Sequence, residues 1–161
     1  MTEFVKKVVM LGDPMVGKTS LVKRFVYNMF DDKYLSTIGA KPSKKVIVTG
    51  KNKVTLLVWD LAGHSHNQHS GFYAGAKAAF LVCDMTQQGS LESLEGWHMA
   101  LAKEVGDVPV IILANKSDLP YKKTDLERLN ALGFPVIQTS AKTGLNVELA
   151  FKTMAEALVH D

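Results

Sequence analysis

From Gly12 to Ser20 the chain reads GDPMVGKTS, which fits the pattern G-x-x-x-x-G-K-[ST]. An apolar run, FVKKVVML from Phe4 to Leu11, stands directly before it, and a segment of helical period from about Lys18 to Asn28 directly after it. A glycine-bounded loop between a strand and a helix turns its backbone groups toward one anion, and the positive end of the helix adds to the field there. In such a loop Gly12, Asp13, Pro14, Met15, Val16 and Gly17 wrap a phosphate chain. Lys18 neutralises the β- and γ-phosphates, the Thr19 hydroxyl is placed to ligate Mg²⁺, and Ser20 closes the binding run. The motif therefore demands an α/β fold, in which a buried strand feeds a loop and then a helix.

The rest of the chain agrees with that demand. KKVIVTG and KVTLLVWD are strand-like runs joined through Gly50, Lys51 and Asn52, a turn composition that predicts a hairpin. AAFLVCDM (Ala78 to Met85) is continuously apolar, the pattern of a strand covered on both faces. A helix is expected after it, with Ser90 as N-cap and Leu91, Leu94, Leu101 and Val105 along one stripe. VPVIILAN reads as the next strand, TDLERLNAL as a short helix stopped by Gly133, and FPVIQTS as the last strand. A final helix from about Asn146 turns Val147, Ala150, Phe151, Met154 and Leu158 to the core. Strands alternating with helices predict a six-stranded, mostly parallel sheet with one antiparallel edge strand and about five flanking helices. At 161 residues the whole chain, 1–161, is expected to be one domain. Regular pattern lapses only from Asp31 to Pro42 and from Leu61 to Gly75, and loops of that length in a small domain are usually functional.

A phosphate cradle does not say which base is bound. NKSD (Asn115 to Asp118) closes the fifth predicted strand, and TSAK (Thr139 to Lys142) closes the last. Ligands of open α/β sheets bind beyond the carboxyl ends of the strands, on the same rim as the phosphate loop. The Asp118 carboxylate can accept from the N1 and N2 donors of guanine, a pair adenine lacks. Asn115 can help at the purine edge, with Lys116 between the two. The Ala141 amide can donate to the guanine O6, with Ser140 beside it and the Lys142 stem covering the ring.

With these motifs in order, the chain resembles the Ras-type small GTPases and is most similar to their Rab branch. The resemblance runs from VVMLGDPMVGKTSLVKRF through YLSTIGA, LLVWDLAGH, FYAGA, FLVCDMT and ILANKSDL to TSAKTG. It implies a guanine-nucleotide switch that binds GTP or GDP with Mg²⁺ and hydrolyses GTP slowly. By resemblance Phe30 stacks on the guanine, Thr37 binds Mg²⁺ and the γ-phosphate, Asp60 holds Mg²⁺ through water, and the Gly63 amide senses the γ-phosphate. Losing that phosphate frees the loops 31–42 and 61–75, an order to disorder switch that effectors, exchange factors and activating proteins read.

Several positions depart from the family pattern. His64 stands where these families mostly carry the glutamine that orients the attacking water; histidine there is similar to what translational and coat-recruiting GTPases carry, and an imidazole can position a water. His66 and His69 are expected to be solvated or to face a partner rather than to join His64 in a metal site. Pro14 and Met15 replace small residues, and Pro14 removes an amide. Arg24 and Arg128 are the only arginines, and neither lies in a switch loop, so no arginine finger is offered in cis. IGAKP, from Ile38 to Pro42, lacks the acidic and aromatic residues with which a Rab continues. The alternative reading is a binding module that holds GTP with little or no turnover. A nucleotide kinase with the same phosphate loop lacks support, since no arginine-rich lid follows.

Composition removes other classes. A net charge of +3 with scattered lysines gives no basic patch for nucleic acid. The longest apolar runs, such as VPVIILA, fall well short of a bilayer span. The single cysteine, Cys83, reads as a small buried hydrophobe, which fits a reducing compartment. The sequence ends ALVHD with no prenylation box. The expectation is a cytoplasmic monomer without its own lipid anchor, peripheral to a membrane only if a tail has been removed.

Overall fold

The computed structural model of the chain describes residues 1–28, 41–60 and 70–159. Its elements are β1 (Thr2–Leu11), α1 (Lys18–Tyr27), β2 (Lys41–Thr49), β3 (Asn52–Asp60), one 3-10 turn (Ser70–Tyr73), β4 (Ala78–Asp84), α2 (Gln88–Glu92), α3 (Leu94–Val105), β5 (Val110–Asn115), α4 (Lys123–Asn130), β6 (Val136–Gln138) and α5 (Val147–Val159). The six strands form a single sheet in the order β2-β3-β1-β4-β5-β6. The pairs β1–β3, β1–β4, β4–β5 and β5–β6 are parallel, and β2–β3 is the antiparallel edge hairpin.

Side chains alternate across a strand, so a strand covered on both faces must be apolar throughout. In β1, Val8 and Met10 enter a core shared with Phe25 of α1 and with Ala150, Phe151 and Met154 of α5. Val9 and Leu11, on the opposite face, enter a second core with Leu91 of α2 and with Leu94, Trp97 and Leu101 of α3. Every residue of β4 and of β5 is buried, as their apolar runs require. The first core centres on aromatic contacts: Phe25 and Phe151 stack with centroids 3.8 Å apart, and Phe80 meets Phe151 at 4.9 Å.

Five expectations need correcting. The segment 31–42 is not all loop, because β2 starts at Lys41 and pairs Pro42 with Trp59. An outer strand tolerates a proline there because half of its backbone groups face away from the sheet. Likewise 61–75 includes the 3-10 turn at Ser70–Tyr73. The ammonium of Lys7 fastens that turn, donating to the carbonyls of Phe72 and Ala74, each at 2.7 Å, and lying 4.6 Å above the Trp59 ring. The expected single helix after β4 is two helices broken at Ser93, whose hydroxyl lies 3.0 Å from the Gly89 carbonyl; such back-bonding bends helices. Ser90 is no N-cap, since Gln87 holds that position without a side-chain bond. Instead the Ser90 hydroxyl accepts from the Asp84 amide at 2.9 Å and closes the turn out of β4. Finally, β6 has only three residues, fewer than the apolar run FPVIQTS suggested.

Candidate functional site

Among the described residues, the loops after β1, β5 and β6 meet at the carboxyl ends of the strands, beside β1, where the strand order changes direction. The loop 12–17 leaves β1 and enters α1. Gly12 has φ +151°, and a Cβ there would lie 2.3 Å from the Val82 carbonyl oxygen. Gly17 has φ +102°, and a Cβ there would lie 2.3 Å from the Asn115 Nδ2. Only glycine satisfies both conditions at these two places. Between them Pro14 and Met15 form an exposed crest; Met15 stands at φ +69°, with 58% of its surface exposed.

The first turn of α1 carries no acidic residue and no side-chain cap, so its amide end is left for an anion. Lys18, the first residue of α1, is only 6% exposed. Its ammonium folds back over the loop and donates to the carbonyls of Gly12, at 2.6 Å, and of Asp13, at 2.9 Å. Burial pulls its pKa down to about 8, against the opposing pull of Asp60 and Asp13. A buried cation held below its ordinary pKa favours any ligand that brings negative charge.

Thr19 follows, and its hydroxyl donates to the Asp60 carboxylate at the end of β3. These two hard oxygen donors, side by side and next to the buried ammonium, suit Mg²⁺ better than a softer metal. Thr37, Gly63, His64 and Phe30 lie outside the described residues, as do His66 and His69.

The loops after β5 and β6 are sewn to the phosphate loop. Asn115 is 1% exposed; its Nδ2 donates to the Val16 carbonyl at 2.9 Å, and its Oδ1 accepts from the Thr139 hydroxyl at 3.1 Å. Asn115 thus cross-links the loops after β1 and β6, and its second N–H is left over for a purine edge. Lys116, at φ +61°, spans from the Asp84 carboxylate (2.8 Å) to the Met15 carbonyl (3.0 Å). The Ser140 hydroxyl donates to Asp118 Oδ1 at 2.8 Å, which joins the two tetrapeptides expected to read the base. Asp118 and Lys142 are exposed, while Ser140 and Ala141 are buried.

The family-model comparison agrees with this geometry: the Ras family model matches residues 7–160. The chain belongs to the Ras family. Within that family its relatives are of the Rab branch. It is 36% identical over 162 residues to the Ras-related protein Rab7 of Drosophila melanogaster, covering 93% of this chain and 78% of that protein. It is 36% identical to the Ypt/Rab-type GTPase ypt7 of Schizosaccharomyces pombe, covering 93% and 80%, and 34% identical to the Ypt/Rab-type GTPase avaA of Emericella nidulans, covering 94% and 80%. No helix among the described residues is long and apolar enough to cross a membrane.

Three residues that sequence reasoning passed over complete the site of this Ras-family chain. Ser93 and Trp97 hold the Asp13 carboxylate, at 2.7 and 3.0 Å. Arg24, on α1, reaches the carbonyls of the Thr139–Lys142 loop. The partners lie 80 to 118 positions apart in sequence, and no local pattern announces them.

Proposed function

We propose that this Rab-branch chain is a guanine-nucleotide switch that binds GTP or GDP with Mg²⁺ and hydrolyses GTP slowly. One observation carries the reading: the phosphate loop, the Asn115–Asp118 loop and the Thr139–Lys142 loop are hydrogen-bonded to one another on one rim. A base gripped by Asp118 and the Ala141 amide is thereby placed at a set distance from phosphates gripped by Lys18.

In this reading water attacks the γ-phosphate. Lys18 and the backbone from Gly12 to Thr19 stabilise the developing charge, and His64 orients the water. Thr19, Thr37 and Asp60 would hold Mg²⁺, which would supply neutralising charge to the phosphates. Thr37 and the Gly63 amide tie the segments 31–42 and 61–75 to the γ-phosphate, and effectors, exchange factors and activators meet the chain there. With no arginine finger in cis, turnover awaits an activating partner.

The exposed crest favours a second reading. Met15 holds a left-handed backbone conformation with its side chain outward beside Pro14, so an incoming activator meets bulk where small residues are usual. A binding module that holds GTP without turnover follows from that. Single-turnover GTP hydrolysis by the Mg²⁺-loaded protein, beside His64→Gln, His64→Ala and Lys18→Ala, separates the two. Phosphate release that vanishes in Lys18→Ala and His64→Ala establishes the hydrolytic switch; wild-type release no faster than His64→Ala establishes the binding module. A protein that binds ADP as tightly as GDP overturns both.

A further inference from the structure

We propose that Arg24 is the positioning residue that aims the Ala141 amide at the base, and so sets recognition of the six-position of guanine. The inference deepens the proposed function and rests on its assignment of Ala141 to the base. Arg24 is half-buried on α1, two turns beyond Lys18. Its Nε donates to the Ala141 carbonyl at 2.8 Å, its Nη2 donates to the Lys142 carbonyl, and its Nη1 lies 3.3 Å from the Asn28 Oδ1. The guanidinium fork thus holds two consecutive carbonyls of a loop 117 and 118 residues away.

Peptide planarity turns this grip into an orientation. The Ala141 amide belongs to the peptide plane whose carbonyl is that of Ser140, and the Gly144 amide holds that carbonyl at 2.8 Å. The next plane, carrying the Ala141 carbonyl, is held by Arg24. With the planes before and after Ala141 both fixed, its N–H has one direction. A Cβ added at Gly144, which stands at φ +86°, would lie 3.9 Å from the Arg24 Cδ and Nε, so the loop runs beside the Arg24 side chain. Asp118 is fixed separately, through Ser140. The two halves of base reading therefore have different side-chain anchors: the Arg24 guanidinium for the loop that carries the O6 donor, the Ser140 hydroxyl for the N1 and N2 side. A lysine at this place supplies one point charge and no fork, so it cannot hold both carbonyls in plane.

The test compares three nucleotides on the protein by equilibrium competition with Mg²⁺ present. GDP carries O6 and N2; 6-thioguanosine diphosphate keeps N1–H and N2 but presents a poorly accepting sulfur at position six; inosine diphosphate keeps O6 and lacks N2. In the unaltered protein GDP binds more tightly than either analogue. Arg24→Ala and Arg24→Lys are expected to shrink the GDP over 6-thio-GDP ratio by about fivefold to tenfold, the scale of one hydrogen bond. The GDP over inosine diphosphate ratio is expected to stay unchanged, since Asp118 keeps its anchor. Equal losses for all three nucleotides, or no change, overturn the inference, because a merely structural arginine does not touch the ratio. If a variant melts at the working temperature, the same ratios are read at a lower one, and Arg24→Gln serves as a milder second variant. An unaltered protein with no preference for GDP over ADP instead overturns the proposed function itself.

Discussion

The indole nitrogen of Trp97 donates to the carboxylate of Asp13 at 3.0 Å, joining the first turn of α3 to the phosphate loop. The Ser93 hydroxyl takes the other carboxylate oxygen at 2.7 Å. One helix on the far side of the sheet thus grips the loop from below, while Lys18 closes over it from α1. Trp97→Phe keeps the ring packing and removes one donor from a partly buried carboxylate, so it is expected to cost about 1 to 2 kcal/mol. Urea unfolding of the nucleotide-free protein measures that loss, and release of a fluorescent GDP analogue is expected to quicken with it. A lower unfolding midpoint with unaltered release means that the indole only packs.

Lys18 makes nucleotide binding depend on pH in one direction. Its folded pKa, about 8, lies below the ordinary lysine value of 10.5, so folding disfavours its charged form. The penalty is complete below pH 8 and fades as pH rises toward 10.5, where the unfolded chain also releases the proton. The nucleotide-free protein is therefore expected to gain up to about 3 kcal/mol across that window, and Lys18→Met to lack the gain. A bound phosphate supplies a countercharge and raises this pKa. Calorimetry of GDP binding in buffers of differing ionisation enthalpy is expected to show proton uptake growing from near zero at pH 7 toward ~1 at pH 9. Uptake that stays flat over that range contradicts the assignment.

Phe151 lies between Phe25 and Phe80, with no exposed surface. Phe151→Ala removes both ring contacts and leaves a cavity under α1 and α5, at an expected cost of about 3 to 5 kcal/mol. Because α1 carries Lys18 and Thr19, the cavity is also expected to weaken nucleotide binding. Phe151→Leu, which fills most of the volume, is expected to restore most of both quantities, and denaturant titration reads the difference.

Cys83 is fully buried, and burial pushes its thiol pKa up to about 12. A thiol without thiolate character or access does not react. The native protein is expected to resist Ellman's reagent for as long as it stays folded and to take up one equivalent in denaturant. Labelling of the native protein within seconds places the β4 face in solvent and contradicts the burial.

What was legible in the sequence was local. The phosphate loop, the apolar strands β4 and β5 and the stripe of α5 follow from spacing alone, since motif and periodicity act over a few residues. Long-range partners stayed hidden. Spacing suggests the purine-edge role of Asn115 but not that its amide also ties the Val16 carbonyl to the Thr139 hydroxyl, partners distant in sequence. Ser90 looked like a cap because it precedes an apolar stripe, but the turn out of β4 needed its hydroxyl more. Arg24 lies outside the switch segments, and the two carbonyls it holds lie more than a hundred residues away. The break at Ser93 serves Asp13, a residue no helix pattern includes.

The placing of the hairpin has a further consequence, for the behaviour of the chain at high concentration. An outer strand with unpaired amides and carbonyls is a template on which a second molecule can add its own strand and start a fibre. One outer strand here, β6, is three residues long and gives such a template almost no length. The other, β2, is nine residues long and carries Pro42, Lys44 and Lys45 in its first half. A proline withholds a ladder bond and paired lysines repel their copies, so stacking is blocked where β2 enters the sheet. Only the stretch around Val46 and Val48, 40% and 57% exposed, lacks these guards, and that short stretch is where self-association by this protein would begin.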